Sequence, residues 1–429
     1  MAPVRVELVT VGDELLIGDI VNGNAAWMGQ ALTRIGVAVS RSVVVGDTPE
    51  AITGAVNDAL AHADADAVII TGGLGPTYDD RTRDVLAEMA GVALERDPMI
   101  EKRLRERAER YGVPLRPMAL RMAEVPAGAA VLDNPAGSAP GLRLVLGGRP
   151  VFALPGVPYE MQAIMTGSVL PELDSGASSA QLTLRTAGVW ESVIASRLAS
   201  VEAMEGVDLA YLPSPAEVKV RITASGEAVL AAAEERVRDL LGPTVFGIGD
   251  ETLALAVNRL LIARGESVAV AESLTGGLLG AELTSTAGSS AAFRGGVTAY
   301  ATELKGSLLG VPEALLEERG AVDPQVAVEM AAGVRERLGA TYGLAVTGVA
   351  GPDPQDAKPV GTVHIGISGP SGNRSVTPVL PLPSDGGRAR PLVRRMTVVH
   401  ALDLLRHEIL GVAMVRDWEE DQEDREGLT

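Results

Sequence analysis

Apolar residues recur along the first part of the chain in the rhythm of strands that alternate with helices. Ala67–Thr71 (AVIIT) is wholly apolar, which is typical of a parallel strand buried on both faces. Val4–Val9 and Val37–Val45 predict two more strands, and Asn24–Gly36 predicts a helix between them. Thr48, which a proline follows, is a good N-cap for a further helix. These repeated units predict a parallel sheet with helices on both faces.

The pattern changes after a stretch rich in Ser, Gly and Asp, which has the composition of a linker. Leu182–Arg185 and Val218–Thr223 alternate between apolar and polar residues, as strands with one solvated face do. Glu191–Glu202 and Ala228–Leu241 have the periodicity of helices. We interpret residues 178–249 as a small α+β module that acts as a spacer or forms a dimer, because it carries no chemical motif.

A second α/β pattern fills the C-terminal part of the chain. The predicted elements are helix Glu251–Arg264, strand Val268–Ala271, a helix capped by Asp323, strands Leu344–Val346 and Thr362–Ile367, and helix Leu392–Leu410. The predicted fold class is therefore α/β, with two three-layer α/β domains of mainly parallel sheets at residues 1–171 and 250–415, joined by the module at 178–249. Residues 416–429 form an acidic tail that we expect to be solvated.

Composition limits the functions that this chain can have. Its 429 residues suffice for two or three domains, and 46% of them are hydrophobic. A formal net charge of −19 repels nucleic-acid phosphates, which argues against direct nucleic-acid binding. The absence of cysteine excludes a thiolate zinc site and a cysteine nucleophile, and the four histidines are scattered. We see no signal peptide or membrane-spanning run and expect a cytoplasmic protein without membrane association.

The densest group of chemically useful residues is the sequence AESLTGG, which follows the strand Val268–Ala271. Ser273 stands where this strand ends and a helix begins, and open parallel sheets bind their ligands at that edge. Free backbone N–H groups and the helix dipole favour a phosphate or an oxyanion there. The same residues also fit an ordinary N-cap serine with glycines for close packing.

Lysine is rare in this chain, with four lysines among 37 basic residues. Lys305 stands in TAYATELKGSLLGV, shortly after Tyr300. A retained lysine suggests a base, since arginine cannot serve as one, although a surface lysine on a helix is the alternative. Thr347 begins another turn of hydroxyl and glycine residues, TGVAGP, after a buried strand.

Together these segments resemble the C-terminal domain of the CinA family, the nicotinamide-nucleotide amidases. The matching stretches are AESLTGG, STAGSSAAFRGGVTAY, ELKGSLLGV, VTGVAGPD, KPVGTVHIGI and the arginine-rich start of the last helix. The resemblance implies hydrolysis of nicotinamide mononucleotide to nicotinic acid mononucleotide and ammonia, without a cofactor. It implies Ser273 as nucleophile, Lys305 as base, and Tyr300 and Thr347 as supporting hydroxyls. The substrate contacts that it suggests are Glu272, Thr275, Gly276, Gly277, Gly288, Ser289, Ser290, Gly348, Gly351, Arg388, Arg390 and Arg394.

The sequence departs from the family at two places. Leu274 stands where the family often has cysteine, which excludes a cysteine mechanism. The usual Gly-Asp-Arg before the last helix reads Arg388-Ala389-Arg390, which leaves the phosphate ligand open between Arg390 and Arg394. With neither cysteine nor histidine in these motifs, a Ser–Lys pair remains for amide cleavage. We expect partial burial and nearby arginines to lower the pKa of this lysine, because only the neutral amine is a base.

Four loops bring acids, glycines and prolines to one predicted edge of the N-terminal sheet: GDELLIG, TGGLGPTYDD, GSAPG and LPGVPYEM. Glycines let the backbone approach a phosphate, and Mg²⁺ would relieve the repulsion between that phosphate and the carboxylates. The alternative is that Asp79 and Asp80 only favour a helix N-terminus. The metal candidates are Asp13, Glu14, Asp79 and Asp80, and the other site candidates are Thr71, Gly72, Gly73, Gly75, Ser138, Pro155, Gly156 and Glu160.

In order and across the whole domain, these motifs resemble the MoaB/Mog molybdopterin-binding fold in its CinA version. That version implies a pyrophosphatase for ADP-ribose, assisted by a divalent metal such as Mg²⁺ and by K⁺, whereas cousins of the fold bind and adenylylate molybdopterin. The two activities together imply salvage of pyridine nucleotides, with small nucleotides as ligands, in a homodimer. A regulatory or scaffold protein linked to competence or DNA damage, and a molybdopterin-binding protein, stay open as alternatives.

Overall fold

The computed structural model describes residues 4–62, 64–174, 180–383 and 389–414. They belong to two compact units, Met1–Ser179 and Ala180–Thr429. The second unit contains both the small module and the C-terminal domain. Among the described helices, none combines the length and the apolar composition needed to cross a membrane. Arg388 and the predicted acidic tail lie outside the described residues.

A mixed sheet forms the centre of the first unit. The strands are β1 (Arg5–Val11), β2 (Ala38–Val45), β3 (Ala67–Thr71), β4 (Leu94–Arg96), β5 (Glu124–Pro126), β6 (Ala130–Leu132), β7 (Gly141–Leu146) and β8 (Arg149–Leu154). The sheet order is β2-β1-β3-β8-β7-β6, and β4 pairs separately with β5. Strands β2, β1, β3 and β8 run parallel, as predicted, whereas β7 and β6 add an antiparallel edge.

Helices cover both faces of this sheet. They are α1 (Asp13–Leu16), α2 (Gly23–Arg34), α3 (Pro49–Ala61), α4 (Thr82–Ala90), α5 (Pro98–Arg110), α6 (Pro158–Ile164) and α7 (Leu170–Leu173). Thr48 caps α3 as predicted, because its hydroxyl accepts a hydrogen bond of 3.3 Å from the N–H of Ala51. Ile52 belongs to the apolar cluster on one face of the sheet and Met28 to the cluster on the other.

The small module is an antiparallel sheet with two helices packed on it. Its strands are β9 (Ala180–Ala187), β10 (Val207–Ser214), β11 (Glu217–Ala224) and β12 (Val245–Ile248), and its helices are α8 (Glu191–Glu202) and α9 (Glu227–Leu241). The strand order is β10-β11-β9-β12. The sequence predicted β9, β11 and both helices. It missed β10, which ends in a proline and a serine that are typical of a turn, and β12, which is too short to show a period.

The C-terminal domain is built on a five-stranded sheet. The strands are β13 (Val268–Glu272), β14 (Phe293–Thr298), β15 (Tyr342–Gly348), β16 (Val363–Gly369) and β17 (Gly372–Val376), in the order β14-β13-β15-β16-β17. The helices are α10 (Leu253–Arg264), α11 (Leu278–Thr284), α12 (Thr302–Leu309), α13 (Glu313–Arg319), α14 (Pro324–Leu338) and α15 (Ala389–Leu410). Apolar clusters fill both faces of the sheet, so the predicted α/β class is confirmed.

Half of the strand pairings in the sheet of the C-terminal domain are antiparallel, and the sequence did not predict this. Strands β14, β13 and β15 are parallel, but β16 and β17 run antiparallel to their neighbours. The chain returns from β15 to β16 through a loop without a helix, and such a direct return makes the neighbours antiparallel. A strand buried on both faces is apolar in either direction, so its composition does not show which way it runs.

The parallel strands bring three loops to one edge of the C-terminal sheet. Glu272, the last residue of β13, pairs with Thr298 at the end of β14 and with Val346 near the end of β15. The residues that follow these three strands therefore lie side by side, at the carboxyl edge where such sheets bind ligands.

Candidate active sites

Ser273 and Lys305 meet at the carboxyl edge of the C-terminal sheet. Ser273 directly follows β13, and Lys305 lies in the first turn of α12, shortly after β14. The lysine Nζ lies 3.2 Å from the serine Oγ and donates a second hydrogen bond of 2.8 Å to the carbonyl of Ala299. The side chain is almost fully buried, since Lys305 is 1% exposed. The two side chains thus lie within hydrogen-bond distance, which a nucleophile and its base require.

Burial lowers the pKa of Lys305 to about 8, and the carboxylate of Glu303 opposes this shift. A depressed pKa makes the neutral amine available near physiological pH, as a general base requires. The sequence also led us to expect arginines to contribute to the shift. They do not: burial is the cause, because the surrounding protein solvates the ammonium group poorly.

A pocket opens over this pair. Tyr300, Gly348, Gly351 and Arg390 line it as predicted, together with Ser273 and Lys305. Lining residues that the sequence did not single out are Leu274, Thr302, Ala321, Val322, Val349, Ala350, Asp353 and Gln355. Asp353 and Gln355 could have been suspected, because they follow directly on the turn TGVAGP.

Arg390 spans the mouth of this pocket. Its Nη1 donates to the carbonyl of Gly351 and its Nη2 to the hydroxyl of Tyr300, both at 2.8 Å. Arg394, the other candidate for a phosphate ligand, donates instead to the carbonyl of Thr275 at 2.6 Å and does not line the pocket. Of these two arginines, Arg390 is the one whose side chain lines the pocket. Arg388 lies outside the described residues.

The glycine turn after Ser273 does not form the anion cradle that the sequence suggested. The buried carboxylate of Glu272 accepts hydrogen bonds from the N–H groups of Gly277, Leu279 and Gly280 at 2.8–3.0 Å. An anion already inside the chain therefore occupies the N-terminus of α11. Gly276 and Gly277 have positive φ values of 60° and 99°, so glycine is needed there to make the turn.

Two N–H groups beside the nucleophile remain available. Among the described residues, the backbone N–H groups of Leu274 and Thr275 have no acceptor within hydrogen-bond distance. They belong to the two residues that follow Ser273, between the end of β13 and the start of α11. An N–H group next to the nucleophile is a common donor to a developing oxyanion. Thr347 is buried and donates to the carbonyl of Ala321 at 2.7 Å, so its hydroxyl holds the loop rather than lining the pocket.

The structure does not bring Gly288, Ser289 and Ser290 to the pocket that contains Ser273. These residues precede β14, whose first residue, Phe293, pairs with Val268 at the start of β13. The strands are parallel, so this loop lies at the amino edge of the sheet, whereas Ser273 follows the carboxyl edge. The two edges are separated by the length of β13, roughly 15 Å for five residues.

A second pocket lies at the carboxyl edge of the sheet in the first unit. The predicted residues that line it are Glu14, Gly72, Gly73, Gly75, Asp79, Asp80, Ser138, Pro155, Gly156 and Glu160. Asp47 also lines it, and the sequence reasoning missed this residue. Its position two residues after the end of β2, next to β1 in the parallel sheet, was the available signal. Burial and the charges of Asp13, Glu14 and Asp79 raise the pKa of Asp47, although a hydrogen bond from Asp13 opposes this.

Several of the predicted acids hold the loops of this pocket in place. Asp80 accepts hydrogen bonds from the N–H groups of Gly75 at 2.8 Å and Thr77 at 2.7 Å. Asp13 does not line the pocket; its N–H donates to Asp47 at 2.9 Å. Glu160 is buried and accepts from Asn134 at 2.5 Å.

Thr71 is also a structural residue of this pocket. It is fully buried and donates to the carbonyl of Pro155 at 3.1 Å, which ties the end of β3 to the loop after β8. The four predicted metal ligands do not gather around one point: in the described parts of the chain, no three Asp, Glu or His side chains are placed to hold a metal ion together.

Three family models match the chain in succession. They are a probable molybdopterin binding domain over residues 7–175, the KH domain of damage-inducible protein CinA over 181–247, and the CinA C-terminal domain over 250–409. A crystal structure of a CinA protein of unknown function from Thermoplasma acidophilum is 40% identical and covers 39% of this chain and 96% of its own, with a TM-score of 0.35.

Sequence relatives extend over almost the whole chain. A CinA-like protein of Frankia casuarinae is 49% identical over 429 residues, which cover 95% of this chain and 97% of the relative. A CinA-like protein of Salinibacter ruber is 43% identical over 376 residues, which cover 85% and 91% of the two chains. The predicted resemblance is confirmed, and the chain belongs to the CinA family, with a MoaB/Mog-like domain at its N-terminus.

Proposed function

We propose that the C-terminal domain hydrolyses the amide of nicotinamide mononucleotide to nicotinic acid mononucleotide and ammonia. The observation that carries this proposal is the buried lysine amine 3.2 Å from the hydroxyl of Ser273. A buried lysine with a pKa of about 8 and no acidic partner in hydrogen-bond contact is suited to accept a proton. The resemblance of the surrounding motifs to the nicotinamide-nucleotide amidases supplies the substrate.

In the first half of the proposed reaction, the neutral amine of Lys305 removes the proton of Ser273 as Oγ attacks the amide carbon. The carbonyl oxygen becomes an oxyanion, to which the backbone N–H group of Leu274, a residue that lines the pocket, would donate. The lysine ammonium then gives its proton to the amide nitrogen, and ammonia leaves. The nicotinoyl group is now an ester of Ser273.

In the second half, water replaces ammonia. Lys305, again neutral, takes a proton from a water molecule that attacks the ester carbon. The second tetrahedral intermediate collapses, the proton returns to Ser273 Oγ, and nicotinic acid mononucleotide leaves as a carboxylate. Arg390, at the mouth of the pocket, supplies a planar pair of N–H donors that suits a phosphate group.

The direct test is an assay of ammonia release from nicotinamide mononucleotide by the full chain, with the Ser273→Ala variant as control. We expect ammonia from the unchanged protein and none above background from the variant. Binding of the substrate to the variant, measured by calorimetry, should persist because the pocket is otherwise intact. Absence of ammonia release from the unchanged protein would overturn this function and favour a regulatory or scaffold role.

For the first unit, we propose an ADP-ribose pyrophosphatase that needs a divalent cation. Its pocket combines glycine loops with carboxylates at one sheet edge, including Asp47, whose pKa is raised by burial and by neighbouring acids. A bound divalent ion would supply charge that offsets both these carboxylates and the diphosphate. One or two of the pocket carboxylates Glu14, Asp47 and Asp79 would hold it, with water and substrate phosphates completing its shell. K⁺ is the second ion that the family resemblance implies.

This second activity has its own assay. ADP-ribose is incubated with the protein in the presence and absence of Mg²⁺ and K⁺, and AMP and ribose phosphate are measured by chromatography. We expect products with Mg²⁺ and none after its removal with a chelator. Binding of molybdopterin without ADP-ribose turnover would support the alternative, a molybdopterin-binding protein.

A further inference from the structure

A cleft of about 500 Å³ lies between the small module and the last helix of the second unit. The module contributes the turn before α8, the first residues of α8 and the hairpin between β10 and β11, and α15 contributes Met396 and His400. It shares no lining residue with the pocket around Ser273. Its volume is that of a site for a small molecule, and the proposed reactions make no use of it.

The two walls of the cleft are fastened to each other. Arg406 of α15 forms a buried ion pair with Asp403 at 2.8 Å and also donates to the carbonyl of Pro243 in the module. On the same side, Gly188 packs so closely on α15 that a Cβ there would lie 2.8 Å from Asp403. A cleft whose walls are joined in this way is preformed, so a ligand does not have to order it.

The surface of the cleft is mainly apolar. Trp190, which is 49% exposed, and Met396 provide the largest apolar groups. An indole face and a thioether both pack favourably on a planar aromatic ring, and the indole attracts cations as well. These walls favour a flat ring over a flexible or strongly hydrated ligand.

The charged side chains that line the cleft are carboxylates. Glu217 is 7% exposed and forms an ion pair with Arg185 at 3.6 Å. Burial raises the pKa of its carboxyl, and the charges of Arg185 and Arg395 oppose this shift. Glu191 adds a second carboxylate, and no lysine or arginine is found among the described residues that line the cleft. Burial lowers the pKa of His400, so its imidazole is neutral at physiological pH. A cation is therefore favoured here over a phosphate or a carboxylate.

We propose that this cleft is a binding site for a planar aromatic cation, which packs against Trp190 and Met396 and donates hydrogen bonds to Glu217. Aromatic amidines and protonated amino-substituted nitrogen heterocycles have this chemistry. The ring is matched by the apolar walls, and the cationic N–H groups are matched by the carboxylate of Glu217, which lines the cleft.

Three probes of nearly equal shape test this proposal: benzamidine (a cation), benzamide (neutral) and benzoate (an anion). Their dissociation constants for the full chain are measured by ligand-observed NMR. We expect benzamidine to bind about tenfold more tightly than benzamide and benzoate not to bind, as a charge-assisted hydrogen bond predicts. Equal binding of benzoate and benzamidine would overturn the proposal.

Variants locate the bound probe. Ala195→Phe narrows the cleft and should abolish benzamidine binding, whereas Asp79→Asn, in the acidic pocket of the first unit, should leave it unchanged. Glu217→Gln should reduce the affinity for benzamidine about tenfold without changing that for benzamide. Glu191→Gln is its matched control, with an expected change of less than about twofold because that carboxylate is exposed. Benzamidine binding that survives Ala195→Phe, in a variant with an unchanged circular dichroism spectrum, would refute the site.

Discussion

The two candidate active-site pockets, in the first unit and in the C-terminal domain, lie at equivalent places in their sheets. They differ in how complete they are. In the C-terminal domain, nucleophile and base already touch, with 3.2 Å between Lys305 Nζ and Ser273 Oγ. In the first unit, the carboxylates line a pocket without converging on one point in the described residues. The C-terminal pocket contains both of its candidate reactive groups, whereas the acidic pocket of the first unit would need a cation from solution.

The difference follows from the charges that the protein has to stabilise in each proposed reaction. Amide cleavage needs one proton carrier, and burial alone converts Lys305 into one. A diphosphate would bring negative charge into a pocket that already holds several acids, where burial and the charges of neighbouring acids raise the pKa of Asp47. The proposed reaction in this pocket therefore includes a cation. Four predictions sharpen this contrast.

The largest effect is expected for Lys305→Arg. Arginine keeps the charge and much of the length but does not give up its proton, so the reaction loses its base. We expect ammonia release from nicotinamide mononucleotide to fall by about 10³ or more, whereas ADP-ribose hydrolysis stays unchanged. The matched control is Lys102→Arg, at an exposed lysine of the first unit, which should alter neither activity. Near-normal ammonia release by Lys305→Arg would show that this lysine is not the base.

The next largest effect is expected for Asp47→Asn, in the other pocket. The amide has the same shape but removes a negative charge, so we expect ADP-ribose turnover to fall by about 10² and more Mg²⁺ to be needed for half-maximal rate. The matched control is Asp58→Asn, at an exposed acid of α3 outside this pocket. An unchanged Mg²⁺ requirement in Asp47→Asn would show that Asp47 takes no part in holding the cation. Ammonia release should be normal in both variants.

Comparison of sequence and structure shows which kinds of information a single sequence contains. Residues that directly follow buried parallel strands were found, as Ser273 and Gly72 illustrate, because the strand pattern and the sheet edge fix their place. Asp47 follows a strand in the same way but was missed, since its neighbours carry no glycine-rich motif. The helices and strands that the sequence predicted lie within a few residues of their observed bounds, but others, such as β7, β8 and β14, were not predicted. The two antiparallel edges were not predicted either, because burial does not encode strand direction.

Hydrogen-bond partners were the least predictable part of both sites. The glycine turn after Ser273 looked like an anion cradle, yet the carboxylate of Glu272 already uses its N–H groups. Gly288–Ser290 have the right composition but lie at the amino edge of the sheet. The composition near the end of a strand thus predicts which residue types a site contains. Buried polar groups form hydrogen bonds within the protein, and these bonds decide which donors and acceptors remain free for a ligand.

The third prediction is a tenfold effect that separates Arg390 from Arg394, two of the arginines of α15. Arg390 lines the pocket and Arg394 holds the turn at Thr275. Arg390→Lys keeps the charge but loses the planar pair of donors, so we expect KM for nicotinamide mononucleotide to rise about tenfold with kcat little changed. Arg394→Lys should change KM by less than about threefold. A larger rise of KM in Arg394→Lys would assign the phosphate to that residue instead.

The smallest effect concerns stability and depends on pH. Depression of the pKa of Lys305 from 10.5 to about 8 means that the folded state carries a cost of about 3 kcal/mol for the buried ammonium. Below pH 8 the lysine is protonated in both states and this cost is complete. Between pH 8 and 10.5 the unfolded chain holds more protons than the folded one, so the cost disappears as pH rises.

Lys305→Met removes this charge, which costs about 3 kcal/mol, and also the hydrogen bond to Ala299, which contributes about 1 kcal/mol. The free energy of unfolding at pH 7 should therefore rise by about 2 kcal/mol. At pH 10 the advantage should be close to zero. Urea unfolding followed by circular dichroism at both pH values measures it, with Lys102→Met as the exposed control. If the variant is less stable than the unchanged protein at pH 7, the buried charge of Lys305 does not lower the free energy of unfolding. The energetic contrast between this site and the site that a cation would complete would then be wrong.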